Sequence, residues 1–474
     1  IKKRNQLPIK CILTKNIYFA KSQKQKVKKR NISKRIKDFE EIEQPLSEKA
    51  LQEQASRCMD CGVAFCHSFG CPLANRIPDI NTLVYQGKWK KALQMLHSTN
   101  NFPEFTGKLC PALCEASCTL ELDYESVAIK QIENRLVEKG WQAGWIHPQK
   151  PEQHLAARIA IIGSGPTGMT AAQQLVRTGF KVTVFEKDPE PGGLLRYGIP
   201  DFKMDKDLLD RRVDQLKQEG ITFETRVEIG RDISLRYLKR SFAAILFAIG
   251  TPRSKGLNIP GKNLNGITTA IKYLTSQNKV NSGEIKTLPD EMNGRNKSVV
   301  IIGGGDTGSD CVGTAVRQGA EKVTVIEILP QPPLTREPDN PWPLYPHISR
   351  KNSSIEEGGE ILWNTLSTEF LGNRGQVRAV KIQDIEWENN KFKKIPSTES
   401  EIPADMVILS LGFELDQENN LYNNDSLAIN EEGLLLANDS KIFTAGDCAI
   451  GPSLIVNTIN QGRQAAQKII EFLL

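Results

Sequence analysis

Seven of the ten cysteines in this chain of 474 residues lie between Cys58 and Cys118. They stand as Cys58-x2-Cys61-x4-Cys66-x4-Cys71 and then as Cys110-x3-Cys114-x3-Cys118. Thiolates this close together on short loops suit tetrahedral zinc or cubane iron–sulfur clusters. Zinc would be structural and silent in redox chemistry, whereas an iron–sulfur cluster carries single electrons. Pro72 and Pro111 each follow a cysteine directly, as in ferredoxin-like loops. Two cubanes take four ligands apiece, so seven cysteines leave the last position to another residue type. A tight cysteine group in an enzyme-sized chain with no apolar secretory leader argues for metal binding over a disulfide framework. Cys11, Cys311 and Cys448 lie apart, and Cys311 reads as a packing residue. The five histidines show no ligand spacing, and His67, although set among the cysteines, reads as a surface residue.

Two glycine turns carry a second kind of chemistry. Gly163-Ser-Gly165-Pro-Thr-Gly168 follows the apolar run from Arg158 to Ile162, and Gly303-Gly-Gly305-Asp-Thr-Gly308 follows Ser298 to Ile302. Each opens a helical stretch, and each has an acid, Glu186 or Glu327, 23 or 24 residues beyond its first glycine. In that context the pattern is a dinucleotide-binding fingerprint. Gly163 and Gly303 make the tight turn, Gly165 and Gly305 let backbone approach a pyrophosphate, and Gly168 and Gly308 let the helix pack on its strand. The helix N-terminus offers unpaired N–H groups and a positive dipole end to the phosphates. Glu186 and Glu327 can accept hydrogen bonds from a ribose diol. Two such units suggest two cofactors face to face, FAD and a nicotinamide, with hydride passing from one ring to the other. Ala445-Gly446-Asp447 closes another buried strand and supports flavin on the first unit. Its acid can reach the flavin's sugar-like chain, and the following helix can stabilise charge on the reduced ring. Asp306 and Thr307, opening the second helix, are the candidate catalytic residues.

These groups need elements to hold them. Lys181 to Phe185 and Lys322 to Ile326 complete two β-α-β units that start about 140 residues apart. The strands Ala244–Gly250 and Met406–Gly412 each end in a glycine and read as points where the chain crosses between two nucleotide domains. The cysteine region has little β-branched patterning and reads as helical, with a helix capped by Ser47 and another from Trp89 to His97. The expected fold is α/β, an N-terminal helical iron–sulfur domain followed by two Rossmann-like dinucleotide-binding domains, the second inserted in the first. The expected division is a basic arm over 1–45, disordered or extended until Pro45; the cluster domain over 46–150; an FAD domain over 151–255 and 410–474, ending in a helix from about Val456; and a nicotinamide domain over 256–409.

Composition agrees with a soluble globular chain, at 39% apolar and 25% charged residues. No apolar run approaches the ~20 residues of a membrane helix. The net charge of +6 comes from the arm, because residues 1–37 hold 14 Lys and Arg and no acid. Such a short basic block reads as a solvated tail or a docking segment rather than a nucleic-acid site. Neither nucleic acid nor membrane is expected as a partner, and reduced cysteines fit the cytoplasm or a plastid stroma. Opening on Ile1, the chain reads as a fragment, a processed form or the tail of a longer chain.

At this point the residues resemble a known family, the glutamate synthase small (beta) subunit. The resemblance rests on Arg57-Cys-Met-Asp-Cys-Gly62, Phe65-Cys66, Gly70-Cys71-Pro72, Asn75, Ile77-Pro78, Asn81, and Asn100 through Pro111 with Cys114-Glu-Ala-Ser-Cys118. It continues through Gly192-Gly-Leu-Leu-Arg-Tyr-Gly-Ile-Pro200, Gly303 to Asp310, Asn340-Pro-Trp-Pro343 and Gly446-Asp447, and so spans residues 28 to 474. It implies a glutathione-reductase-like arrangement with FAD, two [4Fe–4S] clusters and NADPH or NADH. It also implies a partner, the FMN-containing large subunit or a fused equivalent, which makes two glutamates from glutamine and 2-oxoglutarate. By the same resemblance one cluster takes Cys58, Cys61, Cys66 and Cys118, and the other Cys71, Cys110, Cys114 and Glu133. Gly193, Leu194, Arg196, Gly412, Ser453 and Ile455 are further cofactor contacts that it implies.

The nicotinamide is chosen at Glu327. Relatives that use NADPH carry arginines just after the second strand, where this chain has Glu327-Ile328. An acid repels a 2′-phosphate and favours a plain ribose, which tilts the reading to NADH, with Arg336 as the residue that would rescue NADPH. Two other readings compete. A related Fe–S flavoprotein reductase would serve ferredoxin or pyrimidine reduction, and a zinc-stabilised scaffold would bind no cofactor.

Overall fold

The computed structural model describes residues 22–350, 352–416, 419–422 and 425–474; Cys11 and the first 21 residues of the arm lie outside the described residues. Two five-stranded parallel sheets dominate it. The first runs Ile442–Thr444, Ala244–Phe247, Arg158–Ile162, Lys181–Glu186 and Thr222–Thr225 across the sheet. The second repeats that order with Ile267–Thr269, Met406–Leu409, Ser298–Ile302, Lys322–Ile326 and Glu360–Leu362. The inner strands, such as Ala244–Phe247 and Met406–Leu409, are apolar on both faces because helices or a further sheet cover both sides. Ile159 and Ile161 enter one core and Ala160 and Ile162 the other, and Val299 with Ile301 and Val300 with Ile302 divide in the same way. The helices after the glycine turns run Pro166–Thr178 and Asp306–Gln318. Both stop at a glycine in the left-handed region, Gly179 and Gly319, whose N–H groups bond back into the last turn. Among the described residues no helix is long and apolar enough to cross a membrane.

The first chain crossing follows Ala244–Phe247 and the second follows Met406–Leu409. Immediately after, Arg253–Ser254 pairs antiparallel with Phe413–Glu414, so the crossings touch each other. An antiparallel sheet with no counterpart in the sequence reading, Thr365–Asn373, Gln376–Glu388, Lys391–Lys394 and Ser400–Pro403, covers one face of the second parallel sheet.

Residues 46–145 are helical. Ser47 caps Glu48–Ser56 through a bond from the Ala50 N–H, and Leu51 and Ala55 are buried on its inner face. The helices Ile77–Tyr85, Trp89–Thr99, Pro103–Leu109 and Ile129–Gln142 complete this part. It is fused to the first parallel sheet, since Phe102 and Phe105 share a core with Ile159, Val184 and Ile459. A buried ion pair pins the join: Arg212 Nε lies 2.6 Å from Glu104, and its guanidinium covers the rings of Phe102 and Trp141. Glu104→Ala leaves Arg212 buried and unpaired. It should cost about 3–5 kcal/mol, read as a lowered midpoint in urea unfolding.

The arm departs from the expected extended tail. Lys28–Lys29 pairs with Glu43–Gln44 around the helical turn Ile32–Arg35. The run of bases does not all face water, because Arg35 is 1% exposed. Its carboxylate partner, Glu357, comes from the far end of the chain, where no local pattern announces it.

Candidate functional site

A cavity of about 710 Å³ lies at the carboxyl ends of the first parallel sheet, where open α/β sheets bind their ligands. Gly163, Gly165, Glu186, Gly193, Leu194, Gly446, Asp447, Ser453 and Ile455 all line it. Gly163 has φ +100°, and a Cβ there would sit 2.4 Å from the Ala248 carbonyl oxygen. A Cβ on Gly168 would sit 2.0 Å from the Gly163 oxygen, so this glycine lets the helix close on the turn. Gly165 differs: its φ is −65°, and a Cβ would meet nothing within 4 Å. The space in front of Gly165 is therefore reserved for something outside the chain, as a pyrophosphate cradle requires.

The acids at the strand tips hold the turns in shape. Glu186 accepts from the N–H and hydroxyl of Ser164 at 3.0 and 2.5 Å, and from the Asp188 N–H at 2.9 Å. Asp447 accepts from the Ser453 N–H and hydroxyl, while burial pushes its carboxyl above the usual range against those bonds. Arg196 does not line the cavity. Its guanidinium donates to the Pro191 carbonyl at 2.7 Å and pairs with Asp210, bracing the turn that carries Gly193. Gly412 lies outside the lining as well; its carbonyl accepts from the Lys255 N–H at 3.0 Å, beside the paired crossings.

The second turn repeats the first. A Cβ on Gly303 or Gly308 would strike backbone oxygen at 2.2 or 2.1 Å, whereas one on Gly305 would meet nothing. Glu327 accepts from the Gly304 N–H at 2.5 Å and from the Leu329 N–H at 2.9 Å, which fixes its carboxylate at the strand end. Asp306 is exposed and Thr307 half-buried at the helix start, and neither lines the large cavity. Arg336 is committed elsewhere: it donates to the carbonyls of Asn340, Leu344 and Ala116. Its loop is bound to the cysteine domain, with the Trp342 ring 4.8 Å from Phe65 and the Pro343 carbonyl accepting from Ser117.

The cysteines ring two small cavities. Cys58, Cys61, Cys66 and Cys118 line one, with Ile77, Pro78 and Asn81 beside them. Cys71, Cys110, Cys114 and Glu133 line the other, with Asn75 and Lys130. No disulfide joins any two of the described cysteines. Among the described residues, no three His, Cys, Asp or Glu side chains close on one point as they would around a single ion. Each cavity is lined by four side chains of ligand type, the number a cubane cluster takes. Burial pushes the Cys71 thiol up to about 12 and the Cys114 thiol well above its usual value, with the Glu133 charge adding to both. Glu133 itself is pushed up to about 7 by burial, against the bond it accepts from the Asn75 amide at 3.0 Å. The raised values favour the protonated groups, so ligation by them as thiolates and a carboxylate calls for positive charge in the cavity to displace the protons. His67 turns its ring nitrogen to the Asn75 carbonyl and lines neither cavity.

Sequence reasoning missed the wall between the cavities. Leu109 lines the large cavity and Cys110 the small one, and Ile455 and Val456 divide in the same way. It also missed Lys130, one turn before Glu133 on the helix Ile129–Gln142, a spacing that places both on one face.

Comparison with known proteins adds independent findings. Residues 157–462 match the pyridine nucleotide-disulphide oxidoreductase family, and residues 35–145 match dihydropyrimidine dehydrogenase domain II, 4Fe-4S cluster. The chain is 42% identical to the glutamate synthase [NADPH] small chain of Mycobacterium tuberculosis, over 94% of this chain and 93% of that one. It is 38% identical to the corresponding Bacillus subtilis chain, over 96% and 98%. It is 40% identical to glutamate synthase [NADH] of Saccharomyces cerevisiae, over 93% of this chain but 21% of the yeast protein. Among solved structures, Mycobacterium tuberculosis FprA in complex with NADPH has the same fold, at TM-score 0.54 and 19% identity over 67% of this chain and 84% of that one.

Proposed function

The chain belongs to the glutamate synthase small-chain family, and from that membership we propose that it is the electron-input part of a glutamate synthase. The overall reaction is L-glutamine, 2-oxoglutarate, reduced nicotinamide dinucleotide and a proton giving two L-glutamates and the oxidised dinucleotide. Amide transfer belongs to an FMN-containing large subunit or a fused equivalent, as the length of the yeast relative suggests. When bound, FAD takes the hydride of the nicotinamide, and the two [4Fe–4S] clusters pass its electrons on singly.

The protein's own residues divide that work. The Gly165 turn and the helix after it receive the FAD pyrophosphate, and Glu186 and Asp447 hold the turn and the sugar-like chain. Gly305 and Glu327 receive the nicotinamide dinucleotide, with Asp306 and Thr307 at its helix start. Cys71, Cys110, Cys114 and Glu133 hold the cluster nearer the flavin; Cys58, Cys61, Cys66 and Cys118 hold the outer one. The observation that carries this reading is that the adjacent residues Leu109 and Cys110 line the large cavity and the smaller cysteine cavity respectively, so that the two lie back to back. Around the outer set, Val63, Phe69, Leu122 and Tyr124 are exposed apolar side chains, a face suited to the large subunit. The test is anaerobic purification with iron, sulfide and flavin assays, then mixing with the large subunit. Glutamate formed only in the mixture supports the reading; reduction of ferredoxin or a pyrimidine without glutamate overturns it.

The anchored Glu327 and the committed Arg336 support NADH as the reductant. Glu327→Ala should raise the NADPH-to-NADH ratio of kcat/KM by about tenfold, about 1.4 kcal/mol, in steady-state dye reduction. An unchanged ratio would remove Glu327 from the choice.

A further inference from the structure

We propose that residues 28–44 form a clasp that holds the nicotinamide-binding unit in its working orientation against the flavin-binding unit, with Arg35 as the positioning residue. The inference rests on the assignment of the two units given above.

The units are joined by two crossings of the chain, paired through Arg253–Ser254 and Phe413–Glu414. A ladder two residues long resists twisting poorly, so the orientation must be fixed by contacts beyond it. Some of these are direct. The Asn278 amide donates to the carbonyls of Arg196, Tyr197 and Ile199, and Lys203 lies 3.2 Å from Asp310.

The clasp closes the same boundary from outside. Arg317, on the helix after the second glycine turn, lies 4.0 Å over the ring of Phe202, which belongs to the flavin side. Its Nε donates to the Asp38 carbonyl at 2.9 Å, and its other nitrogens pair with Glu357. Arg35 meets the same carboxylate from the arm and donates to the Ser353 carbonyl at 3.1 Å. Phe39 packs near Phe202, whose carbonyl accepts from the Ile42 N–H at 3.1 Å. Glu41 completes the tie, accepting from the Asp205 N–H at 3.1 Å and pairing with Lys108 of the cysteine domain at 2.6 Å. One short segment therefore grips all three parts. Two guanidinium groups share a carboxylate that is 0% exposed. Arg317 reaches it with both terminal nitrogens, a planar fork that fixes geometry more sharply than a lysine would.

Orientation matters because hydride transfer needs the reacting atoms at roughly 3–3.5 Å, and about 1 Å of misplacement can cost ~100-fold. Dinucleotide binding is built within its own unit and is spared by a small pivot. A loosened clasp should therefore slow transfer without weakening binding.

The test uses the full chain loaded with FAD. Arg35→Gln should speed amide exchange at Lys255, whose N–H bonds to Gly412 beside the crossings. It should also slow flavin reduction in stopped flow by about tenfold or more, while FAD content and affinity for the oxidised dinucleotide hold. Phe39→Ala leaves no buried charge unpaired and gives the same readouts if Arg35→Gln does not fold. Unchanged exchange and reduction rates would overturn the clasp, and so would a loss of dinucleotide affinity that matches the loss of rate. Failure of the unaltered protein to reduce its flavin would overturn the assignment of the units instead.

Discussion

Gly165→Val should yield a folded protein that purifies without FAD. Position 165 has φ −65°, so valine meets no left-handed strain, and its Cβ touches nothing in the chain. What it fills is the space kept for the pyrophosphate. Affinity should fall by ~100-fold or more, about 2.7 kcal/mol, read as lost flavin absorbance after gel filtration with an unfolding midpoint close to that of the flavin-stripped parent. Gly163 and Gly168 offer no such clean test, because a Cβ at either would strike backbone oxygen. Gly305→Val is the matched control and should keep flavin while losing the nicotinamide dinucleotide. A yellow, fully active Gly165→Val protein would refute the assignment.

Cys110→Ser separates the front of the electron path from its end. Serine is a poor ligand at neutral pH because its hydroxyl does not ionise as a thiol does. Iron should fall by about half if the two cavities load independently. Reduction of a dye by nicotinamide should persist, since the flavin cavity keeps Leu109, and glutamate formation with the large subunit should drop to background. Unchanged glutamate formation would sink the relay. The converse change, Cys58→Ser, should give the same loss of delivery with the other half of the iron removed.

Much of this architecture is legible in local patterns. The alternation of Ile159, Ala160, Ile161 and Ile162 between two cores is written in an apolar run before a glycine turn, and the second unit repeats it. Residue types at short spacing also marked Gly165, Gly305 and the thiols. Arg35 was illegible because its partners, Glu357 and the Ser353 carbonyl, lie far away in the chain; the run of bases around it reads as solvated by itself. Arg196 and Arg336 were placed by motif, yet a guanidinium's partners are set by whichever carbonyls the fold brings near, here Pro191 and Ala116. The antiparallel strands from Thr365 to Pro403 are highly charged on their open face, which hid their pairing. Phe39 and Ile42, apolar residues inside a charged arm, were the available sign that it docks.

The two thiol groups are interleaved along the chain, and this has a consequence for how the protein is made. A ribosome releases Cys58, Cys61, Cys66 and Cys71 almost together, although the first three and the fourth line different cavities. The partner that sorts them, Cys118, emerges only after Cys110 and Cys114, and Glu133 comes last, on a helix of its own. Until then the nascent chain offers four neighbouring thiols that fit the wrong grouping as readily as the right one. On the proposed ligand sets, neither cluster can close before this region has been translated. A pause between Cys71 and Cys118 would be the moment when oxidants and stray metals do most harm.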